Sequence, residues 1–239
     1  NERDLGVYLM WAPTKRRELF KTFVDEGLKG SGDYGVVAFG FSNGQPANSK
    51  ELNRNKHVSL RFSYPFQVKE HYMEAGIFGY SGTYTMMDKD LSSGTQLEKG
   101  SKNFVDQRVG AHYILYPQPV GIQAEYNIGH GPQYNPASQT IETQSLQGGY
   151  ILANYRIKIK NQLLFPFIKY HFYDGGKKFE RDARSYKVNE LNAGLEWQPF
   201  KNFEFVAMYS YSDRTFEDHQ RPSNRQFGHS VRFQVQVMF

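Results

Sequence analysis

The 239-residue chain contains no cysteine, which removes disulfides and thiol chemistry and fits an oxidising compartment where a stray thiol is a liability. No run approaches the roughly 18 apolar residues that a membrane-crossing helix requires, so helical spans are excluded. A mean hydropathy of −0.66 with 39% hydrophobic residues still leaves room for a barrel, in whose wall every second residue faces water. Clustered charge is missing too. The formal net charge is +5 and the basic residues are scattered, so no nucleic-acid partner is expected. The seven histidines lack ligand-like spacing and no nucleophile motif is present, so the sequence predicts no metal, no cofactor and no catalytic residue. No signal peptide opens the chain, although export needs one; a processed or partial product is therefore expected.

Aromatic residues, by contrast, are plentiful, with 17 Tyr and 19 Phe, enough for girdles at two membrane interfaces. Near the C-terminus, Val231, Phe233, Val235, Val237 and Phe239 alternate with Arg232, Gln234 and Gln236, the period of a strand that is apolar on one side. A terminal phenylalanine after such a run resembles the closing strand of bacterial outer-membrane β-barrels. The same alternation repeats upstream. Val58, Leu60 and Phe62 oppose Ser59, Arg61 and Ser63; Val109, Ala111 and Tyr113 oppose Arg108, Gly110 and His112; Ile151, Ala153, Tyr155 and Ile157 oppose Asn154, Arg156 and Lys158. About eleven strands result, from Asp4–Trp11 to the closing strand, with the facing of the fourth, near Tyr72 to Tyr84, ambiguous.

Connections between these strands alternate short and long. Turns such as 65–69 and 160–162 are about five residues or fewer, while polar stretches such as 129–144 and 213–226 run to about a dozen or more, as an outer-membrane barrel requires. The predicted fold is all-β: one antiparallel transmembrane β-barrel domain over residues 1–239. Between the first two strands, Leu19, Phe20, Phe23 and Val24 have helical spacing, predicting a short periplasmic helical insertion near 15–28, a plug of the wall or a turn cover. An odd strand number beginning at the extracellular end predicts that this is the C-terminal portion of a longer barrel.

With the apolar set facing lipid, strand parity turns Arg61, Arg108, Arg156, Lys158, Lys169 and Arg232 inward, with His112 and His171 as further donors. Guanidinium groups suit hydrated anions because a planar fork of donors replaces lost water at oxyanion oxygens. Glu125, Glu190, Glu196 and Glu204 face the same way, and the plain alternative is a solvated wall whose charges pair across strands. Asp174-Gly-Gly-Lys-Lys178 could cradle a phosphate, but with no following helix it reads better as a solvated hairpin tip.

Several stretches together resemble one family. They are Asn1 to Val7 (Asn-Glu-Arg-Asp-Leu-Gly-Val), Leu28 to Val36 (Leu-Lys-Gly-Ser-Gly-Asp-Tyr-Gly-Val) and Ser42 to Gln45 (Ser-Asn-Gly-Gln). Pro166 to Tyr170 (Pro-Phe-Ile-Lys-Tyr), Tyr173 to Lys178, and Lys187 to Glu196 (Lys-Val-Asn-Glu-Leu-Asn-Ala-Gly-Leu-Glu) complete the set. In this order they are similar to the phosphate-selective porin O and P family. The resemblance implies a trimeric, 16-stranded anion channel of the Gram-negative outer membrane, of which this chain would supply the last eleven strands. It also implies that the constriction loop lies upstream, so none of the family's phosphate-binding residues is carried over. The expected partners are outer-membrane lipid and lipopolysaccharide, small anions such as phosphate, and two further copies in a homotrimer. The expected function is passive diffusion of small hydrophilic solutes with anion or phosphate preference. A barrel for polyphosphate or an organic anion, an outer-membrane barrel enzyme or structural subunit, and a soluble β-sandwich are the alternatives.

Overall fold

The period-two alternation builds a single meandering sheet. The computed structural model describes residues 5–30, 32–44 and 52–237. Its strands are β1 Gly6–Trp11, β2 Val37–Ser42, β3 His57–Val68, β4 His71–Thr85, β5 Gln96–Leu97, β6 Asn103–Leu115, β7 Val120–Asn135, β8 Thr140–Tyr155, β9 Ile157–Ile159, β10 Gln162–Gly176, β11 Ser185–Phe200, β12 Phe203–Asp218 and β13 Arg221–Val237. One α-helix, α1 Thr14–Asp25, lies between β1 and β2. Eleven strands follow one another in the order β1-β2-β3-β4-β6-β7-β8-β10-β11-β12-β13, each antiparallel to the next. The two-residue β5 joins β8 in parallel and β9 joins β10. β1 and β13 are not paired with each other, so the sheet is open along both edges.

Its two faces differ in the sense expected of a wall between lipid and water. A row of paired residues, Trp11, Val37, Phe62, Ile77, Ala111, Tyr126, Gly149 and Phe172, crosses eight strands on the apolar face. Leu60, Ile77, Val109 and Ile151 on that face are each more than half exposed, while Glu74, Asp106, Asn192 and Ser210 on the other are buried. In water, each fully exposed aliphatic side chain forgoes about 1.5–3 kcal/mol of burial. A lipid phase supplies that burial, and neighbouring strands of the ladder supply one another's backbone hydrogen bonds there.

The polar face is covered at both ends. At one end, where the turns 69–70, 116–119, 160–161 and 201–202 are short, Phe20 and Phe23 of α1 and Leu28 just past it pack against Val36 and Tyr116. The Phe23 ring lies 4.1 Å from that of Tyr116 and 5.3 Å from that of Tyr72. At the other end, the connections 86–102 and 177–184 meet over Tyr84, Met86, Phe104, Tyr134, Ile141 and Ala183. Asp182 Oδ1 there accepts from the Ser92 N–H at 2.7 Å and the Thr95 hydroxyl at 3.1 Å.

Several boundaries differ from the sequence reading. The stretches 129–144 and 213–226 are mostly ladder, since β7 and β8 turn over only 136–139 and β12 and β13 over only 219–220. Backbone pairing continues there without the apolar alternation, because strands standing clear of lipid have no reason to be greasy on one side. Likewise 65–69 is not a turn: β3 runs on through Pro65, opposite Glu74, to Val68. The expected solvated tip at 174–178 is also overturned. Lys178 is buried, its Nζ 2.7 Å from Asp106 Oδ2 and 4.8 Å from the Phe179 ring centroid. The start of the first strand at Asp4 and the terminal Phe239 lie outside the described residues.

Candidate functional site

The polar face carries its chemistry in registered rows. Ser63, Gly76, His112, Glu125, Tyr150, His171, Glu190 and Ser212 are successive cross-strand partners from β3 to β12. One step toward the short-turn end, Glu74, Ile114, Gln123, Leu152, Lys169, Asn192 and Ser210 form the next row. Gly76 is needed where it stands, because a Cβ there would meet His112 Cε1 at 2.4 Å and the Phe62 carbonyl oxygen at 2.4 Å.

Glu74 is the hub of the β3–β4–β6 corner. Its Oε2 accepts from the Tyr116 hydroxyl at 2.7 Å, and its Oε1 accepts from the Ser63 hydroxyl. Arg61 Nη2 lies 3.5 Å and His112 Nε2 3.3 Å from the same Oε1. Arg61, expected as an anion contact, is therefore held by a carboxylate. The sequence did not reveal Glu74, because the Tyr72 to Tyr84 strand carries apolar side chains on both faces. Ser63 Oγ also lies 3.1 Å from His112 Nε2. Serine and glutamate thus share one ring nitrogen, which does not set up the base-and-orienter relay of a nucleophilic triad.

Other carboxylates of this face are paired as well. Glu190 Oε2 accepts from Arg214 Nη2 at 2.7 Å, with His171 Nε2 at 4.0 Å from its other oxygen. Lys29, in the tail of α1, pairs with Glu196 and lies 3.5 Å from Glu204 Oε1. Asp106 is held by Lys178, and Asp218 Oδ2 by Arg184 Nη2 at 2.8 Å. Glu125 has no ion pair among the described residues. Lys29, Arg214 and Arg184 were not singled out from sequence, since each lies in a stretch that reads as loop, and Lys178 was read only as part of a solvated tip.

The remaining expected cations have no carboxylate partner among the described residues. The Arg108 guanidinium stands 6.0 Å from the Tyr80 ring centroid, and its buried Nε has no acceptor. Lys169 Nζ sits 4.7 Å over the Tyr150 ring, as a cation over a negative π face. Arg156 Nη2 donates to the Glu26 carbonyl at 2.6 Å, so its charge meets only the C-terminal end of α1. Lys158 is exposed on β9 and Arg232 on the open edge strand β13. The structure thus sets Arg108, Lys169 and Arg156 on the covered face in three separate rows, without bringing them together, and leaves Lys158 and Arg232 at its margins.

A meandering antiparallel sheet with one apolar exposed face and one polar, charged and covered face is the wall of a membrane-spanning β-barrel of the porin class. A family model described as phosphate-selective porin O and P matches residues 20–239. The chain belongs to that family, whose members are outer-membrane porins of Gram-negative bacteria. No curated protein matches it.

Proposed function

We propose that the chain forms part of the wall of an outer-membrane channel through which small hydrophilic anions, phosphate among them, pass by passive diffusion. One observation supports this above the rest. Glu74, Asp106, Glu190 and Asp218 are each paired with a cation and Glu196 and Glu204 share Lys29, so the acids left over are Glu125 and one of that pair, against Arg108, Lys169 and Arg156, which have no carboxylate partner among the described residues. A water-filled path lined this way has a positive field, which favours anions by charge and offers donors to oxyanion oxygens. Arg108, Lys169 and Arg156 are the contacts assigned to the anion, with Lys158 and Arg232 at the margins and Arg61 reserved for Glu74. By family, the wall is assigned to a homotrimer surrounded by lipid and lipopolysaccharide. The channel works without catalysis; the shared contact of Ser63 and Glu74 on one nitrogen of His112 supports that reading over a barrel hydrolase.

The test is the reversal potential of the natural, detergent-purified protein in a planar bilayer under a chloride gradient, repeated with phosphate. The expected potential is anion-selective, phosphate reduces the chloride current, and Arg108→Ala with Lys169→Ala lowers selectivity about twofold or more. A cation-selective potential overturns the reading.

A further inference from the structure

We propose that α1 and the tail that follows it to Lys29 are a fixed constriction of the pore at its short-turn mouth, with Lys29, Glu196 and Glu204 as the clasp that sets the aperture. The inference rests on the channel reading and goes beyond it by naming an element that narrows the path at this mouth.

α1 is poorly made to stand alone. It has 12 residues, opens on Pro13 with no side-chain cap, and has neither an acid in its first turn nor a base in its last. Lys15, Arg16 and Arg17 instead crowd the positive end of the dipole, and Asp25 and Glu26 the negative end. A helix this short is marginal in water even when its charges are favourable. Tertiary contacts must hold it, and they come from strands far apart in the sheet. At its start, Arg16 Nη1 donates to the Pro65 carbonyl of β3 at 3.2 Å, and its guanidinium stacks 4.5 Å from the Tyr64 ring centroid. In its last turn, Phe23 is fully buried against Tyr72 of β4 and Tyr116 beyond β6. Past its end, Arg156 takes the Glu26 carbonyl, and Lys29 reaches Glu196 of β11 and Glu204 of β12 while lying 5.4 Å from the Phe165 ring centroid of β10. All these wall residues except Tyr64 belong to the polar face or the short-turn rim. The segment therefore lines the inside of this mouth from β3 to β12.

Its bulk is large for the space. Eleven strands spaced about 4.8 Å apart and tilted about 40° occupy roughly 69 Å of circumference, so a barrel closed on them alone would be about 22 Å across. A helix with side chains is about 10–12 Å thick, which removes a large share of that width and remains substantial in a wider barrel. The face of α1 turned away from the wall carries Glu18, Lys21 and Asp25, all exposed, so what faces the path is polar and of mixed charge. Beside the tail, a cleft of about 620 Å³ between Glu26, Lys29, Leu163, Gln198 and Glu204 is the opening that the clasp borders.

The chain has no cysteine, so Lys21→Cys places a single thiol on the free face of α1. The experiment uses the natural full-length protein in planar bilayers, with the unsubstituted protein and the same reagent as control. A cationic methanethiosulfonate is expected to label the thiol and lower single-channel conductance by about a third or more. Glu196→Gln with Glu204→Gln, which opens the clasp without touching α1, is expected to raise conductance or the permeability of larger solutes about 1.5-fold or more. Labelling that leaves the current unchanged, or an unlabelled thiol, overturns the constriction, as does a clasp variant with unaltered conductance and solute cut-off. An unsubstituted protein that does not conduct overturns the channel reading itself and this inference with it, a result distinct from unaltered current in the variants.

Discussion

Glu74 shows how a single side chain fixes the chemistry of its neighbours. Its side chain is 2% exposed, yet it is surrounded by Ser63, Tyr116, His112 and Arg61, so the desolvated carboxylate is stabilised only by those donors. Deleting it strands buried donors. Glu74→Ala is expected to cost about 3 kcal/mol of wall stability. Arg61→Ala is expected to cost about 1 kcal/mol or less, because Arg61 is 30% exposed and three other donors remain on Glu74. Thermal unfolding of the detergent-purified variants measures both, and an equal loss for the two would contradict the hub. The unmatched cations obey the converse logic: Arg108 Nε, buried without an acceptor, is a donor for which the protein itself provides no partner.

Strands were readable from sequence wherever one face meets an apolar medium, because the period of two is imposed on both faces at once. Val109 to Leu115 and Ile151 to Tyr155 are such cases, and both stand where the alternation places them. Strand ends were not readable. β7 continues through Gly131, Pro132 and Gln133 and β12 through Arg214 and Phe216, where alternation no longer follows lipid. Loops that pack on one another escape sequence reading for a different reason, since the partners are distant in the chain. Asp182 and Ser92 are 90 residues apart, and Lys178 and Asp106 are 72. Asp182 sits at φ 56, a left-handed position, and fastens the 86–102 connection through two hydrogen bonds. Asp182→Ala is expected to loosen that connection by about 1–3 kcal/mol and to make it several-fold more sensitive to limited proteolysis in reconstituted vesicles. Asp182→Asn, which keeps an acceptor and tolerates the backbone, is expected to stay near the parent, and equal protection of both variants would refute the fastening role.

Over the whole molecule, position relative to the two faces outweighs residue chemistry. Ile151 and Leu152 are adjacent and similar, but Ile151 is exposed on the apolar face and Leu152 is half-buried on the polar one, in register with Lys169. Ile151→Lys is expected to cost about 2–4 kcal/mol and to impair insertion into vesicles, as a cation in hydrocarbon must. Leu152→Lys is expected to insert normally and to strengthen anion selectivity. Folding yield in vesicles and reversal potential separate the pair, and reversed tolerance would mean that the faces are assigned the wrong way round. Parity alone tells which wall side chains share a face, but it could not show which of them are neutralised. That depends on contacts such as Lys29 with Glu196, 167 residues away, and Arg156 with Glu26, 130 away.

Those two separations also order events in time. From β6 onward each hairpin of the wall closes a loop of a few residues, whereas the clasp at Lys29 closes only once β11 and β12 have been made and set in place. α1 itself has its wall early, because Phe20, Phe23 and Leu28 bury against Val36, Tyr72 and Tyr116 around β2 to β6, and only the tail at Lys29 waits for β11 and β12. The helix is thus seated by the first strands of the wall, and its tail is fastened by the last.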